Sequence, residues 1–182
     1  YGLTVADLQY NKLMVGGSQE QRFCHCPCKS TLKPIMLKTY DIDKVKEWIG
    51  NTNADFESGQ LQPAQYERLS VREGRHLPVQ FAVNRLFREH LELLSDVARA
   101  YVYGYSLRYE RYRDAINQHL GPFQVALLAG NELTIEAGKP LVFTGPGPCA
   151  ADFDTVTFKG KNAQIVSYTN LKFTTRTLVM QA

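Results

Sequence analysis

Apolar positions recur along the chain with two different periods. In "YDIDKVKEWIG", residues 40 to 50, Ile42, Val45, Trp48 and Ile49 fall at the three- and four-residue steps of one helix face. Asp41 stands where an N-cap belongs and Gly50 where the helix should close, so a short helix is predicted there. The stretch behind it, "NTNADFESGQLQP", is polar, carries turn formers and ends at Pro63, and reads as a loop or linker. From Pro78, which suits the first turn of a helix, Phe81, Leu86, Leu93, Leu94, Val97, Tyr101 and Val102 recur largely at helical steps until Gly121-Pro122 stops the run. Gly104 and Ser106 interrupt it. A glycine inside a helix costs about 1 kcal/mol relative to alanine, so this is either one kinked helix or two helices joined at "YGYS".

Beyond Phe123 the period shortens. "NELTIEAGKPLVFTG", "DTVTFKGKNAQIVSYT" and "NLKFTTRTLVMQA" are short runs rich in Thr, Val, Phe and Ile, separated by turn formers, and read as strands. Leu133-Thr134-Ile135 aligns with Val156-Thr157-Phe158, and Leu141-Val142-Phe143 with Ile165-Val166-Ser167, an offset of roughly 23 residues that falls in the range of solenoid rungs. The run from Leu171 to Met180 repeats the shape after a shorter interval. The reading taken is an α+β fold whose C-terminal half is an antiparallel sheet or sandwich with look-alike hairpins; coils of a short β-solenoid are the alternative. Residues 1–64 form a mixed N-terminal region with a cysteine cluster, 65–121 a helical region and 122–182 a β-rich region, together one compact domain.

A chain of 182 residues with 44% hydrophobic and 21% charged residues can bury a core without staples. Its net charge of +3 is too small to advertise a nucleic-acid or anionic-membrane partner through a long-range field. No apolar run approaches the roughly 20 residues needed to span a bilayer, and no signal peptide is visible. The opening at Tyr1 suggests a processed product, and the compartment is left open.

The chemistry concentrates in "RFCHCPCKS", residues 22 to 30. On a straight strand Cys24 and Cys28 would stand about 13 Å apart, too far to share a metal ion. A bend at Pro27 would let Cys24, Cys26 and Cys28, with Cys149 from "GPGPC" and His25 as a nitrogen ligand, form a zinc site. Bridges between alternate cysteines close very small loops, so a disulfide would join Cys149 to one of the three. The third reading is that the thiols are small, partly buried side chains with no shared role.

A second cluster is "RAYVYGYSLRYERYRD", residues 99 to 114. On a continuous helix Tyr101, Tyr105, Tyr109 and Tyr112 share a stripe with Arg108 and Arg111 alongside, which suits an interface or core seam and, less well, stacking on nucleic acid. From Gln65 to Leu120 nine arginines face seven acids, the balance of a salt-bridged face. The histidines His25, His76, His90 and His119 form no set, and no nucleophile elbow, P-loop or dinucleotide motif occurs. Asp152 and Asp154 are a carboxylate pair of the kind surfaces carry.

These features point to a non-enzymatic structural or interaction protein. It would self-associate, or bind a protein partner, through the tyrosine-rich helix and a C-terminal strand carrying Leu178 and Met180. The alternatives are an enzyme or toxin domain with a scattered site, metal-dependent through the cysteines, and a nucleic-acid module using the Tyr/Arg helix.

Overall fold

The computed structural model describes residues 1–62 and 88–182, which divide into two units: Tyr1–Leu37 with Gln124–Ala182, and Lys38–Phe123. The division cuts across the three stretches of the sequence, because the first strands of the chain join the last ones. The expected helix start at Pro78, with Phe81 and Leu86, lies outside the described residues.

In the first unit strands β1 (Tyr10–Gly17), β4 (Phe123–Gly138), β6 (Cys149–Lys159) and β8 (Leu171–Gln181) form one sheet in the order β1-β4-β6-β8, and β3 (Ile35–Thr39) also pairs with β4. Strands β2 (Gln21–Cys24), β5 (Leu141–Thr144) and β7 (Ile165–Ser167) form a second sheet in the order β2-β5-β7. The ladders along both orders are parallel. The protein is therefore α/β with parallel sheets, and the α+β fold with an antiparallel sheet or sandwich is overturned.

The physical reason lies in the turns. A hairpin would return the chain beside the strand it has just left. Here the turn after β4 carries the chain across to β5 in the other sheet, and the next turn brings it back to β6 beside β4. Equivalent positions therefore stack one coil apart. Leu133 pairs with Val156, Ile135 with Phe158, and Leu141 with Ile165, so the sequence alignment of these runs is a ladder register. Gly138 enables the turn: its φ is +127°, and a Cβ there would lie 2.4 Å from the carbonyl oxygen of Gly17 in the coil below.

Inside the stack, side chains form columns. Leu13, Leu133, Val156 and Leu178 make one, and Val15, Ile135, Phe158 and Met180 another. Phe23 of β2 packs on Phe143 of β5 with ring centroids 5.5 Å apart. Alternation along β4 changes phase: Ala126 and Leu128 belong to the same core cluster as Leu133 and Ile135, so the strand bends in between. At that bend Asn131 Nδ2 donates to Asn11 Oδ1 at 2.8 Å, and Arg176 pairs with Asp154 at 3.5 Å. Gly130 precedes the bend because a Cβ would lie 2.9 Å from the Phe153 ring and 2.4 Å from the Tyr10 carbonyl oxygen.

The second unit is helical. Helix α1 (Ile42–Ile49) has the predicted buried face of Ile42, Val45, Trp48 and Ile49; Asp41 accepts from the Asp43 N–H, and Gly50 is its C-cap. The segment read as a loop holds a short helix, α2 (Asn53–Glu57), started by a capping box between Thr52 and Asp55. Helix α3 (Arg88–Tyr103) ends at Gly104, a 3-10 stretch runs from Ser106 to Tyr112, and α4 (Arg113–Leu120) closes the run. The Lys46 ammonium donates to the carbonyls of Tyr101, Val102 and Gly104 at 3.2, 3.2 and 2.7 Å, satisfying the C-terminal carbonyls of α3.

Candidate functional site

Strand β8 stands at the end of its sheet, with a neighbouring strand on one side only among the described residues. Its inward positions continue columns that are buried at their other positions, apart from half-buried Phe158. Relative exposure along the first column is 8% at Leu13, 0% at Leu133, 0% at Val156 and 58% at Leu178. Along the second, Val15 and Ile135 are buried, Phe158 is half-buried and Met180 is 73% exposed. Leu178 and Met180 continue core columns on a coil that no described residue covers. At the opposite end Leu13 and Val15 are covered, and Leu32 belongs to the same apolar cluster.

Of the two shapes weighed for the cysteine segment, a straight strand and a bend at Pro27, the structure has the bend. β2 stops at Cys24, and Pro27–Lys29 forms a 3-10 turn with Pro27 in its first positions. Cys24 is buried, Cys26 half-buried and Cys28 exposed, while Cys149 is buried at the start of β6; all four thiols are free. The Cys26 N–H donates to Cys24 Sγ at 3.2 Å. Burial, with Cys24 nearby, pushes the Cys149 thiol up to about 12, and a hydrogen bond from the His25 backbone offsets part of that rise. Cys149 therefore neighbours Cys24, and the GPGP loop packs on His25: a Cβ on Gly147 would lie 2.5 Å from its ring. The His25 ring sits 3.3 Å from the Gln124 carbonyl oxygen through Nε2. Among the described residues no three His, Cys, Asp or Glu side chains gather closely enough to hold a metal ion. The zinc site expected from Cys24, Cys26, Cys28, Cys149 and His25 is unsupported, because these side chains spread from the core to the surface.

The tyrosines do not share a helical stripe, since the helix ends at Tyr103. Tyr101 and Tyr112 are buried in the second unit, and the Tyr101 hydroxyl donates to Asp43 Oδ1. Burial, then that bond and the Asp43 charge, raise the Tyr101 phenol well above its ordinary range. Tyr105 donates to Glu57 Oε1 at 3.0 Å and packs on Phe56; Tyr109 is half-buried, and Arg108 and Arg111 are exposed. Arg111 lies over the Tyr112 ring, 4.8 Å from its centroid. The interface stripe expected from Tyr101, Tyr105, Tyr109 and Tyr112 with Arg108 and Arg111 is thus divided between internal hydrogen bonds and core packing. His119 lies in the last turn of α4, and His76 lies outside the described residues.

A cleft of about 380 Å³ opens in the first unit between residues of the N-terminal segment, among them Leu3 and Leu8, and the bend carrying Asn131, Asp152, Asp154 and Arg176. Burial, then the charge of Asp154, raises the Asp152 carboxyl, and Arg176 works against the rise. Sequence reasoning found the acids and missed Arg176, whose place beside Asp154 follows from the register of β8 on β6.

No family model, curated protein or solved structure matches the chain. No described helix is long and apolar enough to cross a membrane.

Proposed function

We propose that this is an interaction protein that self-associates end to end, through the coil that β8 closes. The observation supporting this reading is the rise in exposure at the β8 end of two core columns, abrupt at Leu178 and graded through Phe158 to Met180. An open strand edge offers unpaired N–H and C=O groups, and two exposed core side chains add an apolar contact beside them. A second copy of the chain is the fitting occupant, because it presents the same apolar columns at the same spacing.

The sealed opposite end limits the assembly. Stacking that used both ends would be head-to-tail and would grow into fibres or rings. β1 also ends its sheet among the described residues, but its inward Leu13 and Val15 are covered, so the β8 ends are the ones proposed to meet, as a twofold pair. Light scattering of the full chain is expected to give twice the mass of the 20.6 kDa monomer. Leu178→Asp with Met180→Asp should return it to a monomer without loss of folded structure. A wild-type chain that stays monomeric at high concentration, or a pair that survives both changes, refutes the reading.

A further inference from the structure

We propose that Cys26 and Cys28 form a thiol–disulfide exchange site for low-molecular-weight disulfides of the glutathione class, in which Cys28 meets the external disulfide and Cys26 resolves it. The geometry of the turn supports this. On a strand, residues two apart have Cα atoms about 6.6 Å apart, near the outer limit for a disulfide of about 6.8 Å. In a 3-10 turn, with about 2 Å of rise and a third of a turn per residue, the same separation shrinks to about 5 Å, well inside the bridging range. Cys26 is the N-cap of that turn and Cys28 lies within it. Two backbone bonds hold the turn, from Lys29 N–H to the Cys26 carbonyl at 3.0 Å and from Ser30 N–H to the Pro27 carbonyl at 3.2 Å. Pro27 fixes its own φ between the two thiols.

Access sets the order of events. Cys28 is exposed and Cys26 half-buried, whereas Cys24 and Cys149 are buried and closed to an external disulfide. The Cys26 thiol is held above its ordinary value by burial first, and then by the neighbouring thiols Cys24 and Cys28, and the exposed Cys28 meets the external disulfide first. Once Cys28 is capped, its charge no longer opposes ionisation of Cys26. The Cys28 thiolate, its proton given to solvent, attacks one sulfur of oxidised glutathione; the S–S bond breaks and a glutathione thiolate leaves. Cys26 then loses its proton and attacks Cys28 Sγ, the mixed disulfide breaks, and a second glutathione departs. Two protein thiols are oxidised by two electrons in all, and one glutathione disulfide is reduced to two thiols. The small ring formed is strained and therefore readily reduced, as suits exchange rather than stapling.

The test incubates the native full chain with oxidised glutathione, alkylates the remaining thiols, and reads intact mass and fragment spectra. Wild type is expected to lose two hydrogens, to map the bridge to Cys26 and Cys28, and to return to the dithiol in excess reduced glutathione. Cys26→Ser should instead accumulate one glutathione on Cys28. Cys28→Ser should react about tenfold more slowly, since the remaining thiols are less accessible. A stable glutathione adduct on wild type, a bridge that includes Cys24 or Cys149, no reaction, or an undiminished rate in Cys28→Ser would each overturn the proposal.

Discussion

The column through Leu13, Leu133, Val156 and Leu178 allows the same truncation to be made at two depths of one stack. Leu133 is fully buried between coils, so Leu133→Ala removes its methyl groups and leaves a cavity, a change that costs about 3 kcal/mol. Leu178 has the same chemistry and the same place in the register but is 58% exposed. Full burial of a leucine is worth about 1.5–3 kcal/mol. Leu178→Ala should therefore cost about 1 kcal/mol or less in the single chain. With a urea slope near 2 kcal/mol per molar, the first change lowers the midpoint by about 1.5 M and the second by about 0.5 M or less. Far-UV circular dichroism can follow the β unit, at a dilution where light scattering shows single chains. The one tryptophan, Trp48, lies in the helical unit and reports that unit separately, which matters because the two need not unfold together. Equal midpoint shifts for the two variants at that dilution would show that Leu178 is already buried in the single chain, and the reasoning about an open end would fail.

Gly130→Ala should destabilise the β unit by about 2 kcal/mol, since its Cβ would crowd both the Phe153 ring and the Tyr10 carbonyl; a change below about 0.5 kcal/mol in urea titration contradicts this packing. Lys46→Met should lower the stability of the helical unit by about 2 kcal/mol, read from Trp48 fluorescence, because three carbonyls at the end of α3 lose a charged donor. Tyr101 keeps its proton in the folded chain above the ordinary value of 10.0. Its contribution is complete below pH 10 and is lost as pH rises towards the higher folded value, so Tyr101→Phe should flatten that alkaline slope. Asp152 is also raised, so the folded chain holds a proton that the unfolded chain releases above 3.8. Stability should fall as pH climbs from 3.8 towards the raised value, and Asp152→Asn should remove that fall from the acid part of a pH–stability curve.

How much of this was legible depended on the range of the interaction. Helix α1 could be read whole, because its cap, its apolar face and its closing glycine all lie within eleven residues. The direction of the strands could not. Alternation states which side chains share a face and says nothing about whether the neighbouring strand runs with or against it. The repeat from Leu133 to Val156 did contain the register, yet the same short runs suit a series of hairpins. The first coil was hidden altogether: Leu13 pairs with Leu133, 120 residues further on, with the helical unit in between. The tyrosine stripe failed for a local reason, since Gly104 ends α3 and resets the phase of every residue behind it.

The exposed strand end and the cysteine turn share one physical lesson. Leu178 is picked out in the sequence as part of an associating strand, and by register it continues a core column; its exposure comes from its place on the last strand of the sheet among the described residues, a fact no local pattern carries. Cys26 and Cys28 read as alternate residues whose bridge would close a very small loop, with Pro27 as the place for a bend; the structure puts a 3-10 turn there, which shortens the step between them. In each case the sequence picked out the residues, and the fold supplied their burial and spacing. Leu178→Ala and Cys28→Ser change those two positions alone, so the sizes of their effects measure surroundings rather than composition.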